Sequence, residues 1–177
     1  MGRLVQASIA FGAIVANLGL DRLSKEIAIA NLKGQGGIRV LGDFFILTYA
    51  ENEGAFLGMG GSWPPALRSI FLIWLPLAAT IAALVWVFAT RKLSRLELIL
   101  VASAIGGGIG NLADRIIQGY VVDFMNFGIG SLRTGVLNVA DLSLTFGLAA
   151  FLIAQFVKES KAKKASIAAL KTPPSKE

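Results

Sequence analysis

GGGIGNLADRIIQGYVVDF, residues 106–124, opens as an apolar, glycine-rich run and ends among Asn111, Asp114, Arg115 and Asp123. Its front half closes a charge-free run of 16 residues, 98–113. A helix that crosses a bilayer needs about 20 residues. To cross, this run must draw in Asp114 and Arg115, so the polar end of the stretch marks where a membrane stops. Residues 142–157 form the mirrored case. They are again 16 charge-free residues, and they need Asn138 and Asp141 at their start to span.

Two further runs lie upstream, residues 4–20 (17 residues) and 69–90 (22 residues). The second of these spans unaided, and its Pro76 is tolerable in a membrane helix. Composition agrees: 55% of residues are hydrophobic and 16% charged, against roughly 25% charged in soluble domains. The pattern predicts a membrane all-α protein of four transmembrane helices. Residues 4–20, behind Arg3, resemble a signal peptide. No A-x-A-type site follows and three more spans do, so the run is expected to be retained as helix one.

Orientation follows from the distribution of Lys and Arg. With both termini in the cytoplasm, the inner side holds Arg3, the loop 91–97 with Arg91, Lys92 and Arg95, and the tail with Lys158, Lys161, Lys163, Lys164, Lys171 and Lys176. Only Glu97, Glu159 and Glu177 oppose them. The net charge of +6 is therefore read as membrane orientation, and no nucleic-acid partner is expected. Asp21, Lys25, Asn52, Asn111, Asp114, Arg115, Asp123, Asn138 and Asp141 then gather toward the outer face. The chain is read as one transmembrane domain, 1–158, with a basic cytoplasmic tail, 159–177. Outer loops cover 26–65 and 119–137. In the first, two β-like runs, 38–41 and 44–49, flank Gly42-Asp43 and predict a small sheet or hairpin on the membrane surface. Trp63 and Tyr49 suit the interfacial belt.

The chain has no cysteine and no histidine. That excludes disulfides, thiolate or Ser-His catalysis and His- or Cys-based metal sites; neither metal nor cofactor is expected. Glycines 106, 107, 108 and 110 are followed by no GK[ST], so they read as close helix packing. What remains is carboxylate chemistry. Asp123, in the loop between helices three and four, can fold back toward Asp141 at the start of helix four. Two carboxylates close together in a poorly solvated site share a proton and can activate water for peptide hydrolysis. Ordinary interfacial carboxylates or helix caps account for the same residues. Asn111, Asp114 and Arg115 share one helix face, with Arg115 free to pair with Asp114 or to hold a loop. Asp21 and Lys25 read as a helix-end salt bridge. Asn138 reads as a cap or a partner of a catalytic group, and Asn52 as a turn residue or one that reaches into the site. An ion or proton relay is the competing class, and it predicts ionisable groups at mid-bilayer. A non-catalytic four-helix assembly gives no reason for the two carboxylates.

Five short motifs occur in order: DRLSK (21–25), NEGAF (52–56), GNLADR (110–115), VVDF (121–124) and NVAD (138–141). Together they resemble lipoprotein signal peptidase (signal peptidase II), a bacterial inner-membrane aspartic peptidase. The resemblance implies four transmembrane helices, a small outer-face β-cradle between helices one and two, and an active site toward the periplasm. It implies cleavage of lipid-modified prolipoproteins before a diacylglyceryl-cysteine, contact with membrane lipids, and inhibition by globomycin-type compounds. It implies catalytic roles for Asp123 and Asp141. Supporting or substrate-binding roles are implied for Asp21, Lys25, Asn52, Gly54, Asn111, Arg115 and Asn138. Many members read N-x-G-A-A-F where this chain reads NEGAF, a difference that bears on the local loop.

Overall fold

The computed structural model describes residues 1–55 and 58–171. Four helical segments are long and apolar enough to cross a membrane: Arg3–Leu32, Pro65–Ala89, Arg95–Gln118 and Val139–Ile167. The first is α1 (Arg3–Leu32). The second is built from α2 (Pro65–Ser69), a π-helical turn (Ile70–Trp74) and α3 (Leu75–Ala89). Pro76 explains the irregularity, because it has no N–H to close the helical ladder behind it. The third and fourth spans are α4 (Arg95–Gln118) and α5 (Val139–Lys171).

α4 sits centrally, against α1, α3 and α5. Its glycines permit this. A Cβ on Gly106 would lie 2.9 Å from the Asn17 Cβ of α1, and one on Gly107 would press on the Ala140 carbonyl oxygen of α5. The core between the spans is Ala10, Ile14, Val87, Leu98, Val101, Ala102, Ile105 and Phe151. Two polar devices close the end away from the sheet. The Gln6 side chain donates to the carbonyls of Val87 and Thr90, at 2.6 and 2.7 Å, satisfying acceptors that the end of α3 leaves open. Ser94 and Glu97 form a capping box at the start of α4, and Lys158 bridges Glu97 and the Lys92 carbonyl.

At the other end lies an antiparallel sheet in the order β1-β2-β3-β4. The expected runs form β1 (Ile38–Leu41) and β2 (Phe45–Asn52). The segment 119–137, read from sequence as a loop, supplies β3 (Val121–Ile129) and β4 (Leu132–Leu137). The sheet is therefore shared by both segments that join spans at this end, and Asp123 lies on a strand. The first of these segments also begins later than residue 26, because α1 continues to Leu32. The sheet anchors there: Ala28 and Leu32 of α1 pack with Phe124 and Met125 of β3. Gly119, at φ 85°, ends α4 in the left-handed conformation that glycine adopts freely. β3 follows within two residues.

The tail expected from residue 159 continues α5 as helix to Lys171; residues 172–177 of it lie outside the described part, as does Phe56 of NEGAF.

Candidate active site

Asp123 is placed by the sheet. Its backbone pairs with Ala50 of β2, and its side chain is 1% exposed. Both carboxylate oxygens are held. Asn52 Nδ2 donates to Oδ2 at 2.8 Å and Asn138 Nδ2 to Oδ1 at 2.6 Å. Burial pushes the Asp123 carboxyl up to about 6; the negative charge of Asp141 adds to this, while the bonds from Asn52 and Asn138 oppose it.

Asp141 is placed by the start of α5. Its N–H donates to Asn138 Oδ1 at 2.8 Å, and its Oδ2 accepts from the Asn138 N–H at 3.2 Å. This reciprocal pair is a capping box with Asp at the third helical position. Oδ1 remains, and it accepts from Asn111 Nδ2 at 2.7 Å. Asn138, fully buried, thus caps α5 and touches both carboxylates. Its Nδ2 also donates to Asn111 Oδ1 at 3.1 Å. Asp123, Asn138, Asn111 and Asp141 form one hydrogen-bonded chain across three elements.

The orientation of the Asn111 amide is set from beneath. Lys25 Nζ donates to Asn111 Oδ1 at 3.2 Å. Lysine has only donors to offer, so the oxygen must face Lys25 and the NH2 must face Asp141. Lys25 is 1% exposed and lies between two carboxylates, Asp21 at 2.6 Å and Asp114 at 2.7 Å. Asp21 in turn accepts from the Ala140 N–H at 2.9 Å, fastening α5 to α1. The space for that contact comes from Gly110, where a Cβ would lie 2.8 Å from Asp21 Oδ2. Asp21 and Lys25, read as a pair at a helix end, are instead in mid-helix and buried, because α1 runs eleven residues past Asp21.

Arg115 reaches to the loop after β2. Its Nη2 donates to the Gly54 carbonyl at 2.6 Å, and its Nη1 to the Asn111 carbonyl at 3.3 Å. Of the two partners the sequence left open, the loop has Arg115 and Lys25 has Asp114. Gly54 is required by space: a Cβ there would meet Gly58 and Met59 backbone atoms at 2.5 Å. Its N–H donates to Asn52 Oδ1 at 3.0 Å, so the Asn52 amide is also fixed with its NH2 toward Asp123.

Both aspartates line one cavity of about 200 Å³. Asn52, Asn111 and Arg115 supply its polar wall, and Phe71, Leu72, Pro76 and Leu144 an apolar one. Ionisable groups cluster at this end of the bundle, with Glu97 and Lys158 at the other. Among the described residues no group of His, Cys, Asp and Glu is arranged to hold a metal.

A family model described as Signal peptidase (SPase) II matches residues 13–157. The chain belongs to the signal peptidase II family. Proteins called lipoprotein signal peptidase are similar over most of this chain. One from Clostridioides difficile (strain 630) is 36% identical over 155 residues, covering 85% of this chain and 96% of that protein. One from Sphingopyxis alaskensis is 38% identical over 145 residues, covering 78% and 80%. A solved structure described as a bacterial membrane enzyme shares the fold, with a TM-score of 0.69 at 23% identity over 90% of this chain and 91% of that one. This signal peptidase II is thus a multi-pass membrane protease. All nine residues singled out from its sequence converge on one end of the bundle. Sequence reasoning missed Asp114 as the second partner of Lys25, although it stands three residues from Asn111 on the same helix face. It also missed the apolar wall, whose residues carry no chemical signature.

Proposed function

We propose that this signal peptidase II removes the leader from lipid-modified prolipoproteins by water activation between Asp123 and Asp141. The observation that carries the reading is the pair of carboxylates bordering one cavity, each oxygen engaged by an amide N–H, in a chain without His or Cys. One proton is shared by the pair. The ionised carboxylate takes a proton from water as the oxygen attacks the scissile carbonyl. The protonated carboxyl gives its proton to the carbonyl oxygen, which avoids an isolated oxyanion. Collapse of the tetrahedral intermediate breaks the C–N bond. The amine leaves with a proton taken from the dyad, one hydroxyl of the intermediate returns its proton to the dyad, and the leader keeps the new carboxyl. Asn52, Asn111 and Asn138 keep both carboxylates aimed at the cavity through these steps.

The cavity suits a substrate that arrives within the bilayer. Its apolar wall of Phe71, Leu72, Pro76 and Leu144 is built from the second and fourth spans, against which an apolar leader helix can lie. Cleavage is proposed immediately before a diacylglyceryl-modified cysteine, with globomycin-type inhibitors seated in the same cavity. The working unit is residues 1–158 in the bacterial inner membrane. Both termini and the basic tail 159–177 are cytoplasmic, and the sheet end is periplasmic.

Single replacement of Asp123 or Asp141 by Asn tests the dyad. Leader removal from a purified lipid-modified proprotein is expected to fall by about 10²–10⁴-fold in either variant. Normal turnover by a folded variant ends the proposal. The wild-type rate is expected to show a two-sided pH profile whose two apparent pKa values belong to the pair.

A further inference from the structure

Asp123 borders two cavities. The first is the one with Asp141 and the apolar wall. The second, about 290 Å³, shares Asn52, Asp123 and Val136 with the first and adds Ala50, Glu51, Gly58 and Gly135. The first is lined by the spans together with Val121, Val136 and Leu137 of the sheet, and the second by the sheet and the loop after β2. Asp123 and Asn52 thus stand at a junction between a membrane-side chamber and a sheet-side chamber.

A peptide cut at Asp123 must occupy both sides of that junction. The leader is apolar and helical, and hydrocarbon suits it. The chain beyond the scissile bond is an extended polypeptide with unpaired backbone groups, and such backbone is not tolerated in lipid. We propose that the sheet-side chamber receives the residues that follow the modified cysteine. This rests on the peptidase reading above and adds the path of the product.

The walls then set a size limit. Ala50, Gly58 and Gly135 present little side chain, so the space beside Asp123 exists because these positions are small. Glu51 lies at the exposed margin and is pinned there, its Oε1 accepting from Tyr49 Oη at 2.7 Å and Lys33 Nζ at 3.0 Å. Residues directly after the cysteine are held between β2 and β4, and a bulky side chain in place of Glu51, which does not line the membrane-side chamber, obstructs them. The lipid-bearing cysteine and the leader keep their places in the first cavity.

Two measurements test this in the full-length enzyme in detergent. In the first, a lipid-modified substrate carries a photo-activatable side chain at the second residue after the cysteine. It is bound to the Asp123→Asn enzyme and irradiated, and the adducts are mapped by mass spectrometry. Adducts are expected on Ala50, Glu51 or Gly135, which line the second cavity and not the first. Adducts on Phe71, Leu72, Pro76 or Leu144, or no adduct on the sheet, overturn the assignment. In the second, Glu51→Trp is assayed on two substrates with the same leader. One ends at the modified cysteine as its amide, and the other continues for ten residues. The variant is expected to lose about tenfold in kcat/KM on the longer substrate, as added methylene groups do in a filled pocket, with the short one unchanged. Equal loss on both, or no loss on either, overturns it. A wild-type enzyme that cuts neither substrate overturns the peptidase reading itself, and this inference with it.

Discussion

Asp123→Asn should make the protein more stable at alkaline pH while it lowers turnover by about 10²–10⁴-fold. The Asp123 carboxyl is raised from 3.8 to about 6 by burial. A raised carboxyl contributes stability that is fully present below the unfolded value and is lost as pH rises through the folded one. That rise corresponds to roughly 3 kcal/mol, of which about 2 kcal/mol is lost between pH 4 and pH 8. The neutral amide of Asn does not pay that penalty. It introduces a smaller one: Asn52 Nδ2 and Asn138 Nδ2 both donate to the carboxylate, and an amide offers one acceptor and one donor. Losing one such bond costs about 1 kcal/mol. The variant should therefore be slightly less stable than wild type at pH 4, with the difference moving about 2 kcal/mol in its favour by pH 8. Thermal or denaturant unfolding of the detergent-solubilised protein at the two pH values measures this. A difference that is the same at both would show that Asp123 titrates as an ordinary exposed carboxyl. The burial argument for the dyad would then be wrong.

Lys25→Met should destabilise the fold by about 3–5 kcal/mol, because it strands Asp21 and Asp114 without a counter-charge; combining it with Asp21→Asn and Asp114→Asn should recover much of that loss in the same unfolding assay. Asn138→Ala should lower stability by about 1 kcal/mol through loss of the cap. It should also move the acidic limb of the pH–rate profile upward, because a bond that holds the Asp123 carboxyl down is gone; an unshifted limb in a folded variant would rule out that contact. Gly107→Val should cost about 1–3 kcal/mol by overpacking. It should reduce activity as well, because the new side chain pushes on Ala140, beside Asp141; full activity would mean the α4–α5 contact is looser than described.

The spans were legible because their signal is length against bilayer thickness, and residues 98–113 were too short without the polar residues beyond them. Asp123 and Asp141 stand out as candidates because a chain without His or Cys leaves few other groups for hydrolysis. The strands β3 and β4 were not legible as such. VVDFMNFGI is apolar on both faces and carries no two-residue alternation; only pairing with β2 and packing on α1 make it a strand. The burial of Lys25 was equally hidden. A charged pair at i, i+4 looks the same in sequence whether the helix ends beside it or runs to Leu32. What distinguishes the cases is the arrival of Asp114 and Asn111 from α4, a long-range event that local pattern does not encode.

Asn138 and Asp141 open the last span, and Ala140 beside them is tied to Asp21 in the first. Asp123 therefore lacks its neighbouring carboxylate until the last span has packed against the others. A nascent chain with three spans inserted holds Asp123 but has no partner carboxyl, no Asn138 bond and no floor to its cavity. Docking of α5 supplies all three together, through a capping box that forms only as that helix does.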